Sequence, residues 1–142
     1  MNVKTLLEKK GSAVSSIQPD ATVFDALLLM EEKDIGALLV MQQEQLVGII
    51  TERDYARKVI LRGKLSKDTL ISEAMTNDVL FVSLDRKADE CLALMTFKRC
   101  RHLPVMEDDK VVGLISMGDV VKNLIEEFEH TIQDYEKYIR GG

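Results

Sequence analysis

The sequence predicts an α+β fold made of two copies of a strand–helix–strand–strand–helix unit packed on each other. The first observation is a repeat: Gly48–Asp54 returns as Gly113–Asp119 after 65 residues, and the register runs without a gap from Val14–Asp54 onto Val79–Asp119. The second is that helical and strand periodicities follow one another in the same order in both copies. The third is size: 142 residues, 46% of them hydrophobic, make two units of about 60 residues that would each be marginally stable alone.

Charge and composition exclude several classes of function. The formal net charge is −5, whereas a nucleic-acid binder needs a basic surface to neutralise phosphates. No apolar run is long enough to cross a membrane, and residues 1–10 lack the apolar core of a signal peptide. We therefore expect a cytoplasmic protein with no membrane partner. Cys91 and Cys100 form no ligand-spaced cluster with His102 or His130, so no metal site is predicted.

The first unit, residues 10–65, is predicted from its apolar pattern. Strands are expected at Val14–Ile17, Ala37–Met41 and Leu46–Ile50. Thr22 is placed to cap a helix that ends at Asp34–Gly36. Its apolar stripe consists of Val23, Ala26, Leu27 and Met30. A polar hairpin turn, Gln42–Gln45, joins the last two strands, and a second helix runs from Glu52 to about Leu61.

The second unit, residues 74–125, repeats this order. Its strands are expected at Val79–Val82, His102–Met106 and Val111–Ile115. Its first helix carries an apolar stripe of Ala88, Cys91, Leu92 and Met95. The connector between the units, Arg62–Ala74, contains enough polar residues to lie on the surface.

The last segment, residues 126–142, departs from the repeat. Apolar residues spaced alternately by four and three are Val121, Ile125, Phe128, Ile132, Tyr135 and Ile139. This heptad-like pattern predicts one long helix from near Asp119 to about Ile139. The stripe could pack on the chain's own units or on Val3–Leu7, or it could form a subunit contact. The pattern leaves both interpretations open.

The repeated motif, Gly-x-x-Thr/Ser-x-x-Asp, ends a predicted strand and begins a predicted helix in both copies. Its glycine lets a ligand or a neighbouring backbone approach closely. The hydroxyl of Thr51 or Ser116, with the free amides at the helix start, suits a phosphate. One turn later, the carboxylate of Asp54 or Asp119 offers two acceptor oxygens for the two hydroxyls of a ribose. Together these groups indicate a nucleotide site.

The same spacing is also typical of a helix capping box, in which the hydroxyl caps the helix and the acid reaches back to the cap. The box prefers Glu or Gln where this chain has Asp54 and Asp119. Both copies also keep the glycine and the apolar strand before it. We therefore favour a ligand role, with the caps forming as well.

The chain resembles a tandem pair of cystathionine-β-synthase-type domains, called a CBS pair or Bateman module. The resemblance rests on the duplicated element order, the two motifs, Ala74-Met75-Thr76 and Arg101-His102-Leu103-Pro104-Val105. It covers about residues 10–125, and the whole sequence looks like the small stand-alone bacterial members. It implies CBS repeats at 10–65 and 74–125, related by a pseudo-two-fold axis, with a helical extension over 126–142.

The resemblance also implies which ligands the chain binds and which residues contact them. CBS pairs bind AMP, ADP, ATP, NAD or S-adenosylmethionine in clefts between their repeats, and the hydroxyl and Asp positions contact phosphate and ribose. Here those positions are Thr51 with Asp54 and Ser116 with Asp119. Two such modules usually associate into a flat homodimer. Stand-alone members are generally regulatory or stress-linked, so an unidentified protein target is possible.

Basic residues supplement the two motifs unequally. Arg53, Arg101 and His102 are candidates for phosphate contacts. Gly118 stands at the position of Arg53 in the other copy, and Gly36 at the position of Arg101. The two clefts should therefore differ: one could prefer a more anionic ligand, or only one could be filled.

The prediction for function is a non-enzymatic regulatory module that senses an adenosine nucleotide. The alternative is a ligand-free interaction or dimerisation module that acts through the terminal helix. An enzyme is disfavoured, because Asp54 and Asp119 have no obvious nucleophile or base partner and no catalytic residue is assigned. The Gly-x-Gly-x-x-Gly fingerprint of dehydrogenases does not occur either, so no catalytic cofactor is expected.

Overall fold

Two β-hairpins of matching register carry the repeated motif, and helices cover them. The computed structural model describes residues 1–141. The helices are α1 (Val3–Lys10), α2 (Val23–Lys33), α3 (Glu52–Lys58), α4 (Ile71–Ala74), α5 (Ala88–Lys98) and α6 (Met117–Ile139). The strands are β1 (Ser16–Ile17), β2 (Ala37–Gln42), β3 (Gln45–Thr51), β4 (His102–Glu107) and β5 (Lys110–Ser116). The predicted α+β class and the long C-terminal helix are both confirmed.

The hairpins β2–β3 and β4–β5 are antiparallel and share the same irregularity. The register shifts after Val40 in the first and after Val105 in the second. Each turn has two central residues in the left-handed region, namely Gln43, Glu44, Asp108 and Asp109. Two consecutive left-handed residues give a turn whose twist matches that of the flanking strands. The duplication therefore extends to the backbone conformation of the turns.

The first strand of the second repeat is not a regular strand, and the prediction of one over Val79–Val82 is wrong. Only an isolated parallel bridge joins Val82 to Val105. In the first repeat, β1 lies parallel to β2, and the N–H of Leu39 donates to the Ser15 carbonyl at 3.2 Å. Pro104 stands where Leu39 stands in the first repeat, and proline has no N–H to donate. The corresponding bond cannot form, which shortens the pairing.

The connector is partly buried, contrary to the prediction that it lies on the surface. Thr69, Ile71 and Ala74 are buried. The backbone N–H of Ile71 donates to the Ala21 carbonyl at 2.9 Å, and the N–H of Val23 donates to the Thr69 carbonyl at 2.8 Å. The connector therefore closes the core of the first repeat beside α2.

Helix α1 precedes the first repeat in sequence but packs on the second. Val3, Leu6 and Leu7 belong to the same buried cluster as Met95 and Ile115. The side chain of Asn2 caps α1 by accepting from the N–H of Thr5 at 3.0 Å. Burial of these three side chains stabilises the docked helix by about 1.5–3 kcal/mol each.

The two repeats meet through an apolar layer between their sheets. Ala37, Leu39 and Ile49 are buried there, and Val111 and Leu114 pack against them. The N–H of Ile49 and the carbonyl of Thr76 also form a backbone hydrogen bond at 3.0 Å. This layer therefore fixes the orientation of one repeat relative to the other.

Helix α6 leaves the predicted apolar stripe exposed. Its inner face, with Val120 and Asn123, is buried, whereas Phe128 on the stripe is 67% exposed. The interpretation that the stripe packs on the chain's own units or on Val3–Leu7 is therefore wrong. Within residues 1–141, no helix has the length and apolar composition needed to cross a membrane.

Candidate functional site

Both copies of the motif form a helix cap in which the hydroxyl and the acid bond reciprocally. The hydroxyl of Thr51 accepts from the N–H of Asp54 at 3.1 Å, and Asp54 Oδ2 accepts from the N–H of Thr51 at 3.0 Å. Ser116 and Asp119 repeat this geometry at 3.1 and 2.8 Å. The caps anticipated from the sequence are present, and they hold each carboxylate at the junction of strand and helix.

The carboxylate of Asp54 is buried, and protein donors engage both of its oxygens. Oδ2 accepts from the hydroxyl of Thr51 at 3.1 Å as well as from that residue's N–H. Oδ1 accepts from the hydroxyl of Thr76 at 3.2 Å and lies 3.1 Å from Lys58 Nζ. Because Asp54 as a whole is only 8% exposed, a ribose hydroxyl could reach it only by replacing the Thr76 or Lys58 donor.

The carboxylate of Asp119 is more open and takes its counter-charge from α1. Lys10 Nζ lies 2.5 Å from Asp119 Oδ2 and 2.7 Å from the Leu114 carbonyl oxygen. Burial by itself would raise the pKa of Asp119. The hydrogen bonds from Lys10 and Ser116 outweigh that effect and hold the pKa below its ordinary range. Asp119 is therefore ionised at neutral pH.

A cleft between the repeats has a volume of about 890 Å³, within the range of small-molecule sites. Five of the seven predicted site residues line it: Thr51, Arg53 and Asp54 from the first repeat, and Arg101 and His102 from the second. Ser116 and Asp119 are not among its lining residues and stand instead at the start of α6. We call this space the first cleft.

The lining of the first cleft is predominantly basic. Its basic residues are Arg53, Arg57, Lys58, Lys98, Arg99 and Arg101, and its acidic residues are Glu52, Asp54 and Asp78. Lys98 and Arg99 are not among the site residues predicted from the sequence. They follow the apolar stripe of α5, and only the docking of the two repeats shows that the end of this helix faces α3. A basic cleft in a chain of net charge −5 attracts an anion locally.

Two further side chains of the first cleft have shifted pKa values. Burial, together with the positive charges of Lys10 and Arg101, lowers the pKa of His102 despite the opposing effect of Asp119. His102 is therefore a neutral imidazole at pH 7 and adds no charge. Burial raises the pKa of Cys100, which keeps its thiol protonated. Among residues 1–141, no three His, Cys, Asp or Glu side chains group as metal ligands.

Three of the four positions at which the copies differ, namely Gly36, Arg53 and Arg101, line this cleft. The Gly36 carbonyl accepts from the N–H of Glu52 at 3.1 Å, and the Arg101 carbonyl accepts from the N–H of Met117 at 2.8 Å. The two backbones are therefore equivalent there. A Cβ atom on Gly36 would lie 2.9 Å from the side chain of Glu52, whereas Arg101 adds a positively charged residue to the lining of the first cleft.

Comparisons with known proteins agree with one another. The family model of the CBS domain matches residues 12–61 and 71–126. The Arabidopsis thaliana protein named CBS domain-containing protein CBSX3, mitochondrial, is 41% identical over 149 residues, which cover 99% of this chain and 72% of that protein. The chain spans only 24% and 23% of two other Arabidopsis relatives.

Solved structures share the fold. A CBS domain crystal structure is 51% identical with a TM-score of 0.85, covering 88% of this chain and 98% of that one. A protein described as a hexameric CBS-CP12 protein from bloom-forming cyanobacteria is 27% identical with a TM-score of 0.76, covering 85% and 66%.

Proposed function

This chain belongs to the CBS domain family, and we propose that it is a non-catalytic sensor that binds an adenosine nucleotide in the first cleft. The observation that carries the proposal is the composition of that cleft. A buried carboxylate, hydroxyls and basic side chains from both repeats converge on one space of about 890 Å³. AMP, ADP, ATP and NAD all combine the ribose and phosphate groups that these side chains suit.

Each part of a nucleotide has a matching part of the lining. Ile49, Val79 and Leu80 contribute apolar residues to the lining of the cleft, which suits a base. Asp54 and Thr76 stand within hydrogen-bonding distance of each other, where a hydroxyl of a ribose could replace the Thr76 donor. Arginine guanidinium groups bind phosphate through two parallel hydrogen bonds, and Arg53 and Arg101 supply such groups from opposite repeats.

Binding in this position would link the two repeats. The ligand would contact α3 of the first repeat and the start of β4 in the second, so the bound form would resist separation of the two units. A change in the stability or shape of the pair is the signal that a partner could read, provided that the partner binds the two forms with different affinity.

Thermal unfolding of the full chain with AMP, ADP, ATP or NAD tests the proposal, with GMP and GTP as controls. At a ligand concentration of about a hundred times Kd, binding adds about 2.7 kcal/mol to the free energy of unfolding. An adenosine ligand should therefore raise Tm. Asp54→Asn should weaken binding in the first cleft, and Asp119→Asn should leave that cleft's binding intact. If no adenosine ligand shifts Tm, the proposal is wrong.

We also propose that the protein assembles with a second copy of itself through the exposed stripe of α6. Lys122 and Glu136 each follow a stripe residue by one position, so they lie on the same flank of the helix. An antiparallel pair centred between Phe128 and Ile132 would bring Lys122 close to Glu136 of the partner subunit. A parallel pair would instead place the folded repeats of both copies at the same end of the two paired helices. The CBS-CP12 protein, whose fold is similar, is described as hexameric, which supports the proposal of an assembly.

Size-exclusion chromatography with light scattering, which measures the molar mass of the protein as it elutes, tests this assembly. The full chain should run as an oligomer, and Phe128→Ser with Ile132→Ser should convert it to a monomer that still binds nucleotide. Glu129 lies at the centre of the same flank and would face its own copy in the antiparallel pair. Glu129→Gln should therefore strengthen association. A monomeric full chain would exclude the assembly and leave the nucleotide proposal standing.

A further inference from the structure

We infer that the first cleft selects nucleoside polyphosphates over nucleoside monophosphates, and that Arg53, Arg99 and Arg101 make the selection. The inference rests on the proposed function, since it names the class of nucleotide that the same cleft would take. It depends on three observations: the charge of the cleft lining, the position of its two basic walls, and the residues that replace these arginines in the other copy of the repeat.

The charge of the lining exceeds what one phosphate would neutralise. Six basic and three acidic residues line the cleft, and the neutral imidazole of His102 adds nothing to the sum. The cleft therefore carries a net charge of about +3, whereas the whole chain carries −5. One of the acids, Asp54, is already paired with Lys58 at 3.1 Å. Each additional phosphate of a ligand adds negative charge and acceptor oxygens for the remaining cations.

The basic residues form two walls that face each other across the cleft. Arg53, Arg57 and Lys58 lie on α3, while Lys98, Arg99 and Arg101 lie around the end of α5 and the start of β4. The two walls meet where Arg53 Nη1 donates a hydrogen bond to the Arg99 carbonyl oxygen at 3.4 Å. The side chains of both walls are positively charged and repel one another while no anion lies between them. A chain of phosphates lying between the walls would neutralise both at once, whereas a single phosphate could contact only part of the set.

The other copy of the repeat replaces these arginines and serves as an internal comparison. Gly118 stands at the position of Arg53. Asp34 stands at the position of Arg99, and Gly36 at that of Arg101. The backbone accepts the exchange, because Arg99 and Asp34 have nearly the same left-handed conformation, with φ of 56° and 53°. Lysine, in contrast, occupies position 98 and its counterpart, position 33. The three arginines therefore distinguish the first cleft, and the shared lysine does not.

Isothermal titration of the full chain with AMP, ADP and ATP, in one buffer without divalent cations, tests the inference. ATP should bind at least about tenfold more tightly than AMP, which corresponds to roughly 1.4 kcal/mol. Raising the salt concentration should weaken ATP binding more than AMP binding, since more charge is neutralised. Inorganic tripolyphosphate should compete with ATP, because it carries the phosphates without the nucleoside.

Replacing an arginine of the first cleft by the residue at the corresponding position of the other copy tests which residues make the selection. Arg99→Asp, alone or with Arg101→Gly, should weaken ATP binding by about 10- to 100-fold and AMP binding by a smaller factor, so that the ratio of the two affinities falls. Lys33→Asp is the matched control: it makes a similar charge change beside Asp34, at the corresponding end of α2, and should leave both affinities unchanged. The circular dichroism of each variant at 25 °C should equal that of the unmodified chain.

The outcomes separate the two proposals. Equal affinity for AMP and ATP would overturn this inference and leave the nucleotide sensor standing. A preference for ATP that survives Arg99→Asp with Arg101→Gly would also overturn it, because other residues would then make the selection. Failure of AMP, ADP and ATP to bind at all would overturn the proposed function and this inference with it. Loss of the preference in the arginine variants alone supports both.

Discussion

Lys10 Nζ lies 2.5 Å from Asp119 Oδ2, although 109 residues separate the two along the chain. The contact ties the end of α1 to the start of α6, so the N-terminal helix completes the motif of the second repeat. Asp54 takes its lysine from its own helix instead, at Lys58. The two motifs thus share one cap geometry and differ in the origin of their positive partner.

Lys10→Met should destabilise the fold at pH 7 by about 0.5–1 kcal/mol, the usual value of a partly exposed ion pair. The pKa of Asp119 is lowered in the folded state from an ordinary value of 3.8. The contribution of the ionised Asp119 to stability is therefore fully present above pH 3.8. It is lost as the pH falls through the pKa of Asp119 in the folded state. The difference between Lys10→Met and the unmodified chain should shrink below pH 3.8. Urea unfolding at several pH values measures it.

Lys9→Met is the control for this experiment, because Lys9 lies in the same last turn of α1 and is exposed. A loss of stability in Lys9→Met equal to that in Lys10→Met would show that the charge of the helix end, and not the bond to Asp119, is responsible.

Removal of the caps should cost unequal amounts of stability. Thr51→Ala and Ser116→Ala each remove a hydroxyl that accepts from a backbone N–H, which costs about 1 kcal/mol in unfolding free energy. Thr51→Ala should cost more, since its hydroxyl also donates to Asp54 at 3.1 Å. Chemical denaturation measures both values. Equal costs would show that the additional bond to Asp54 contributes nothing to stability.

The two motif glycines should tolerate alanine differently. A Cβ on Gly113 would lie 2.7 Å from a methyl group of Leu7, whereas a Cβ on Gly48 would meet Met75 at 2.6 Å and the Thr76 carbonyl oxygen at 3.0 Å. Overpacking of this kind costs about 1–3 kcal/mol. Leu7→Ala should partly rescue Gly113→Ala, because it removes the clashing atoms. Met75→Ala should rescue Gly48→Ala less, since the backbone carbonyl remains.

A double-mutant cycle on Gly113 and Leu7 gives the coupling between them. Strict additivity of the two single changes would contradict the predicted contact.

Alkylation of the native cysteines should report on the first cleft. Cys100 lines the cleft, and burial raises its pKa, so its thiol should react more slowly than a free one. Cys91 is buried, and burial raises its pKa to about 11, so it should not react in the folded chain. A nucleotide in the first cleft should slow the alkylation of Cys100, which mass spectrometry of intact protein follows over time.

Cys91 serves as the internal control, since its modification would indicate unfolding. Saturating nucleotide that leaves the rate at Cys100 unchanged would place the ligand outside the first cleft.

Features that depend on residues close together in the chain were predicted correctly from the sequence. Features that depend on residues distant in the chain were not. The hairpins and the capping boxes at Thr51 and Ser116 follow from strand alternation and from hydroxyl residues at helix starts, both of which depend on neighbours a few residues away. The predicted strand at Val79–Val82 failed because Pro104, which lies more than twenty residues further on, removes the N–H that would pair with it. The burial of Thr69 and Ile71 was missed because their partners lie in α2 and its preceding turn.

The sequence by itself determined the duplication, the order of elements, and the pairs of positions at which the copies agree or differ. Only the tertiary structure decided which residues share a cleft. Arg99 joins Arg53, and Lys10 joins Asp119, through the docking of whole units, because burial of apolar surface between the sheets and under α1 sets those positions. That free energy is spread over many side chains that are distant in sequence, and no local pattern encodes the final juxtaposition.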